Sequence, residues 1–111
     1  MMRLATLLLF LTALPVRADE ALIAVAANFL KPAEALAVAY EEQSGHHIVL
    51  TGGSTGQHYA QFTHGAPYDA FLAADDVRPA LLLDQNLGTE QFTYAVGRLA
   101  LFSAGDFPVN D

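Results

Sequence analysis

The sequence predicts an α/β fold built on a doubly wound, mostly parallel sheet. Short continuous apolar runs recur along the chain: "ALIAVAA" at 21–27, "HIVLT" at 47–51 and "DAFLAA" at 69–74. Strands covered on both faces have this composition. Helix-compatible stretches separate the runs, and each strand opens into a loop of small or hydrogen-bonding residues before its helix. Alternation of this kind gives parallel neighbours joined by right-handed crossovers.

Ahead of the first run, "MMRLATLLLFLTALPVRADE" reads as a secretory signal peptide over 1–18. Arg3 supplies the basic start, and residues 4–14 form an apolar run too short to span a bilayer. Val16 and Ala18 are the small residues before the cut. The mature chain is expected to begin near Asp19 and to be exported. Losing Arg3 and Arg17 leaves Lys31, Arg78 and Arg98 against twelve acids, which moves the net charge from -7 to -9. Such a balance excludes nucleic acid as a partner. With no cysteine there is no disulfide framework, so burial alone must hold the fold.

After the first strand, Asn28 is an N-cap type of residue and Pro32 suits a first helical turn. Ala33, Leu36, Ala37 and Tyr40 follow at i, i+3, i+4 and i+7, and Gly45 is placed to end the helix. The second strand, 47–51, runs into "TGGSTGQ" and a helix expected over 55–64, stopped by "GAP". The third strand, 69–74, leads to a short helix, "DDVRPALLLDQ", whose two leading acids suit its positive end. "RLALFS", 98–103, reads as a fourth strand.

Ligands of such sheets sit beyond the carboxyl ends of the strands. Two loops there carry the candidates, "AANF" and "GGSTGQ". A helix N-terminus presents unpaired N–H groups and a partial positive charge, so it binds an anion without a basic side chain. Gly52, Gly53 and Gly56 permit close backbone approach, Ser54 and Thr55 add hydroxyls, and Asn28 can aim an amide at the same point. The alternative is that Asn28 and Ser54 or Thr55 only cap their own helices.

Enzyme signatures fail in particular places. "TGGSTG" resembles the nucleotide loop of short-chain dehydrogenases, but His58 stands where the last glycine belongs, and Lys31, the only lysine, has no tyrosine four residues before it. A phosphate-binding loop of the Gly-Lys kind is absent. His46 and His47 are adjacent and would point to opposite faces of a strand; His58 and His64 are six apart. All four are expected at the surface or at helix ends, and Asp75 and Asp76 at a solvated helix start. Ser54 has no histidine and acid partners at recognisable spacing.

The run "AVAANFLKPAEALAVAYEEQSGHHIVLTGGSTGQHYAQFTHGAPYDAFLAADDVRPALL", with "FTYAVGRLALFS" after it, resembles the periplasmic molybdate-binding proteins of ABC importers, of the ModA type. The likeness covers 21–103. It implies the first lobe of a two-lobed periplasmic binding protein that closes over molybdate or tungstate and delivers it to an ABC importer permease in the inner membrane. Carried onto this chain, the ligand contacts are Asn28 and Thr55, with Ala27, Ser54 and Gly56 lining the site. Asn28 and Thr55 would touch the oxygens of the oxyanion, not the metal itself. Many members have serine at both contact positions. No cofactor, no catalysis and a monomeric, periplasmic full-length protein are implied.

Family members are more than twice as long, so the sequence reads as a truncated N-terminal part. Residues 19–94 would form the first lobe, and 95–111 the crossover strand and the start of a second lobe. Two competing functions remain at this point: a binding protein for another oxyanion such as sulfate or phosphate, which the same loops would permit, and an exported hydrolase.

Overall fold

Ala24, Val25 and Ala26 are small or β-branched residues and all buried, and they place β1 (Glu20–Ala26) at the centre of a three-stranded parallel sheet of order β2-β1-β3. The computed structural model describes residues 19–105; the expected leader over 1–18 and the last residues, 106–111, lie outside it. β2 (His47–Gly53) pairs with β1 along its whole length, from Glu20 with His47 to Ala26 with Gly53. β3 (Ala70–Leu72) is shorter than the expected 69–74 and pairs with Ile23, Ala24 and Val25. Asp69 locks its entry: the Asp69 N–H donates to the Leu22 carbonyl at 2.8 Å, and the Leu22 N–H donates to the Asp69 carboxylate at 2.8 Å.

α1 (Leu30–Ser44) carries the chain from β1 to β2 on one side, and α2 (Thr55–Thr63) carries it back past β1 to β3 on the other. Right-handed connections running in opposite directions put their helices on opposite faces of the sheet, which is the doubly wound arrangement the sequence predicts. α3 (Val77–Asp84) lies beside α2. Gly45 ends α1 as expected, at φ 72°, with its N–H on the Glu41 carbonyl at 2.9 Å. Only glycine takes that conformation without strain from a Cβ.

Three expectations are corrected. Of the apolar stripe on α1, only Ala33 is buried, while Leu36 and Tyr40 are at least half exposed. The helix rests mainly over the edge strand β2, and its stripe overhangs a sheet three strands wide. The strand expected at 98–103 does not form: among the described residues, 85–105 hold no helix or strand, and Leu99 is fully exposed. A strand persists where a neighbour completes its ladder, and this segment pairs with neither β2 nor β3. His58, expected at the surface, is 1 % exposed and is one of the largest fully buried side chains. It lies on the inward stripe of α2 with Thr55 and Phe62, three residues before it and four after, a spacing that sets all three on one helix face.

Candidate functional site

The register of β1 and β2 decides what stands together at the carboxyl end of the sheet. Ala26 and Gly53 are the last paired residues, on chains about 4.8 Å apart. Ala27 and Asn28 leave directly from the first, Ser54 and Thr55 directly from the second. The two candidate loops therefore begin side by side.

Their local structures differ. Ser54 is a true N-cap: its extended backbone turns into α2, and its hydroxyl accepts the Gln57 N–H at 3.1 Å. Asn28 caps neither helix. It sits inside a 3-10 turn, Ala27–Phe29, and the N-cap of α1 is Phe29, which makes no side-chain capping bond. The capping alternative thus holds for Ser54 and fails for Asn28, whose side chain is exposed at the strand end.

Thr55 is buried at the start of α2. Its Oγ1 accepts the Ala74 N–H at 3.0 Å, which ties α2 to the loop after β3. Since a hydroxyl has one proton to donate, and the bond to Ala74 uses only a lone pair, that proton remains for another acceptor. Gly56 is half-buried in the same first turn, with the Arg78 guanidinium 3.6 Å from where a Cβ would be. Arg78 is engaged by Asp75, which takes its backbone N–H at 2.9 Å and its guanidinium in an ion pair. Burial alone would raise the Asp75 carboxyl; the hydrogen bonds and charge of Arg78 outweigh it and hold the group below its ordinary value.

The glycines serve a different need from the expected one. A Cβ on Gly52 would stand 2.6 Å from Leu30 Cδ2, and one on Gly53 would stand 3.0 Å from His58 Nε2. Both vacancies are filled by the protein's own side chains, so the close approach here is internal packing. Only Gly56 is free of such contact with the core.

A later segment also reaches this end of the sheet. The Tyr94 ring packs on Phe29, with centroids 5.0 Å apart, and its hydroxyl donates to the Ala73 carbonyl at 3.1 Å. Burial raises the Tyr94 phenol above its ordinary value. The Gln91 amide donates to the Asp76 carbonyl at 2.9 Å. Residues 91–94 therefore cross from the loop after β3 to the turn that holds Asn28. Nothing local in "QFTYAV" announces this contact, because both partners are distant in sequence.

A groove of about 590 Å³ runs between α2 and α3 and is lined by Gly56, Tyr59, Asp75, Val77, Arg78 and Leu81. Of the candidate residues it includes Gly56 alone. The strand-end loops suit an anion better than this groove does: they carry neutral donors at a helix start, whereas the groove is mostly apolar with its one guanidinium already paired. No cluster of three or more metal-ligating side chains occurs among the described residues, and no helix among them is long and apolar enough to cross a membrane.

Comparisons with known proteins agree with this architecture. The chain is 43 % identical over 101 residues to the molybdate-binding protein ModA of Rhodobacter capsulatus, covering 89 % of this chain and 40 % of that protein. It is 43 % identical over 104 residues to ModA of Azotobacter vinelandii, covering 91 % and 41 %. The chain thus spans about two fifths of the length of these relatives. Among solved structures, the periplasmic molybdate-binding protein of Azotobacter vinelandii superposes with a TM-score of 0.59 at 41 % identity, over 60 % of this chain and 29 % of that one. The substrate-binding domain of a putative molybdenum ABC transporter from Clostridium difficile, at 22 % identity and TM-score 0.58 over 60 % and 30 %, shares the fold. Residues 21–110 match the bacterial extracellular solute-binding protein family, and with a parallel α/β sheet presenting two loops at its carboxyl end the chain belongs to that family.

Proposed function

We propose that this chain is part of an exported, periplasmic solute-binding protein that captures molybdate or tungstate for an ABC importer permease. Asn28 and Thr55 would contact the oxyanion, with Ala27, Ser54 and Gly56 around it. Residues 19–94 would serve as the first lobe. The protein would act as a monomer, without cofactor and without catalysing a reaction.

The observation that carries this proposal is Thr55. Its hydroxyl is buried at a helix start, has accepted the Ala74 N–H, and keeps its own proton to give. A fully deprotonated oxyanion is the complement of such a donor, and a protonated one would bring a donor against donors. Short neutral donors also measure size, since a smaller anion such as sulfate would leave them overextended. The overall negative charge opposes this little, because exposed acids are screened within about 8 to 10 Å.

Thermal unfolding of the full-length, two-lobed protein in the presence of molybdate, tungstate, sulfate and phosphate at equal concentration tests the proposal. Binding to the folded state alone raises Tm. The expected result is a rise with molybdate and tungstate and none with the other two. Equal rises with sulfate or phosphate would favour a protein for another oxyanion, and no rise with any would remove the oxyanion function.

A further inference from the structure

His58 is buried among its neighbours in a way that neither an anion contact nor a helix-end role accounts for. Its ring is edge-on to Tyr68 and Phe71, at 5.8 and 6.0 Å between centroids. Nε2 lies 3.2 Å from the Val25 carbonyl, and Nδ1 lies 3.1 Å from the Gln61 side-chain oxygen Oε1, which also accepts the Tyr68 hydroxyl at 2.9 Å. A carbonyl can only accept, so Nε2 carries the proton. Turning the Gln61 amide over would present its NH2 to Nδ1 in place of the oxygen, so the contact at Nδ1 does not compete for the Nε2 proton.

We propose that His58 is a positioning residue that fixes the separation of the two candidate anion loops. It does so by donating from Nε2 to the Val25 carbonyl on β1 while its ring fills the space over Gly53 on β2. Val25 is three residues before Asn28, and Gly53 is two residues before Thr55. One side chain, rooted in α2, thereby touches both strands just before they release their loops. An aliphatic residue of similar size would fill the space over Gly53 but would leave the Val25 carbonyl without this donor. A buried polar ring is costly unless its nitrogens are bonded, and here both are.

This inference rests on the proposed oxyanion function, and its test separates the two. The variants are His58→Leu, which keeps bulk without the donor, and His58→Gln, which keeps a donor. Backbone amide NMR of the parent and both variants is recorded without ligand and during titration with sodium molybdate, together with nitrogen NMR of the parent's imidazole. A protonated Nε2 is expected in the parent. His58→Leu should move the amide signals of residues 26–28 and 53–56 before any ligand is added and weaken molybdate binding by at least about tenfold. His58→Gln should bind molybdate nearly as the parent does; both variants lose the imidazole ring current, so their ligand-free shifts are compared with each other, and those of His58→Leu should depart further. A merely space-filling histidine would give the opposite order, with leucine the better substitute.

The inference is overturned by an unprotonated Nε2, by a folded His58→Leu that binds like the parent, or by a folded His58→Gln as impaired as the leucine variant. Should His58→Leu not fold, the imidazole nitrogen and His58→Gln decide. If the parent shows no response to molybdate, the oxyanion function falls; His58 is then judged by the ligand-free loop signals, and signals in His58→Leu that depart no further than those of His58→Gln overturn the positioning role.

Discussion

Replacing Thr55 by valine removes a single hydroxyl while leaving the outline of the side chain nearly unchanged. Two separate losses follow. The Ala74 N–H loses the acceptor it now has at 3.0 Å; because Ala74 is exposed, water can take over, and stability should fall by only about 0.5–1.5 kcal/mol. The second loss appears only with ligand. A hydrogen bond to a charged acceptor contributes about 1.5–3 kcal/mol, so the molybdate dissociation constant should rise roughly 10- to 150-fold. Thr55→Ser keeps the hydroxyl and should remain near the parent, and Thr55→Ala should resemble valine. Urea unfolding measures the first loss and titration calorimetry or amide-shift titration the second; their ratio between variants carries the test, whatever the absolute affinity. A folded Thr55→Val that binds molybdate as tightly as the parent would refute the role given to this hydroxyl.

Two further outcomes follow from the packing and the charges. Gly53→Ala should cost about 1–3 kcal/mol in urea unfolding, because the new Cβ meets His58 Nε2 at 3.0 Å and Gln57 Oε1 at 3.1 Å, whereas Gly97→Ala, with open space around it, should be neutral. Asp75 titrates below its ordinary value, so its contribution is present above the unfolded carboxylate range of about 3.9 and is lost as pH falls through the lower folded value. The stability difference between parent and Asp75→Asn should therefore be flat from about pH 5 to 7 and shrink below about pH 4; a difference that grows on acidification would reverse the sign assigned to the Arg78 contacts.

The parts of this fold that were legible in the sequence are those set by local periodicity and caps. β1 and β2 showed as apolar runs, Gly45 showed as the end of α1, and the position of Ser54 before the α2 helix matched its capping role. What escaped depends on partners remote in sequence. Asn28 looked like a cap, yet a 3-10 turn intervenes and moves the helix start to Leu30. Gly52 and Gly53 of "TGGSTG" looked like room for a ligand, yet Leu30 and His58 occupy that room. His58 is polar by composition and buried by geometry; only its place on one helix face with Thr55 and Phe62 could have revealed it. Residues 98–103 have the composition of a strand, but composition does not supply the neighbour that a strand requires. The ties of Gln91 and Tyr94 across the sheet end had no local signal at all.

An oxyanion held where β1 and β2 release their loops would be felt first by the backbone amides of those loops. Backbone amide shifts of the full-length protein, mapped during titration with molybdate and separately with sulfate, locate the ligand residue by residue. Saturable shifts centred on residues 27–28 and 54–56 are expected with molybdate, and much weaker ones with sulfate. Shifts centred instead on Tyr59, Arg78 and Leu81 in the groove between α2 and α3, or an equal response to sulfate, would contradict a molybdate site at these loops.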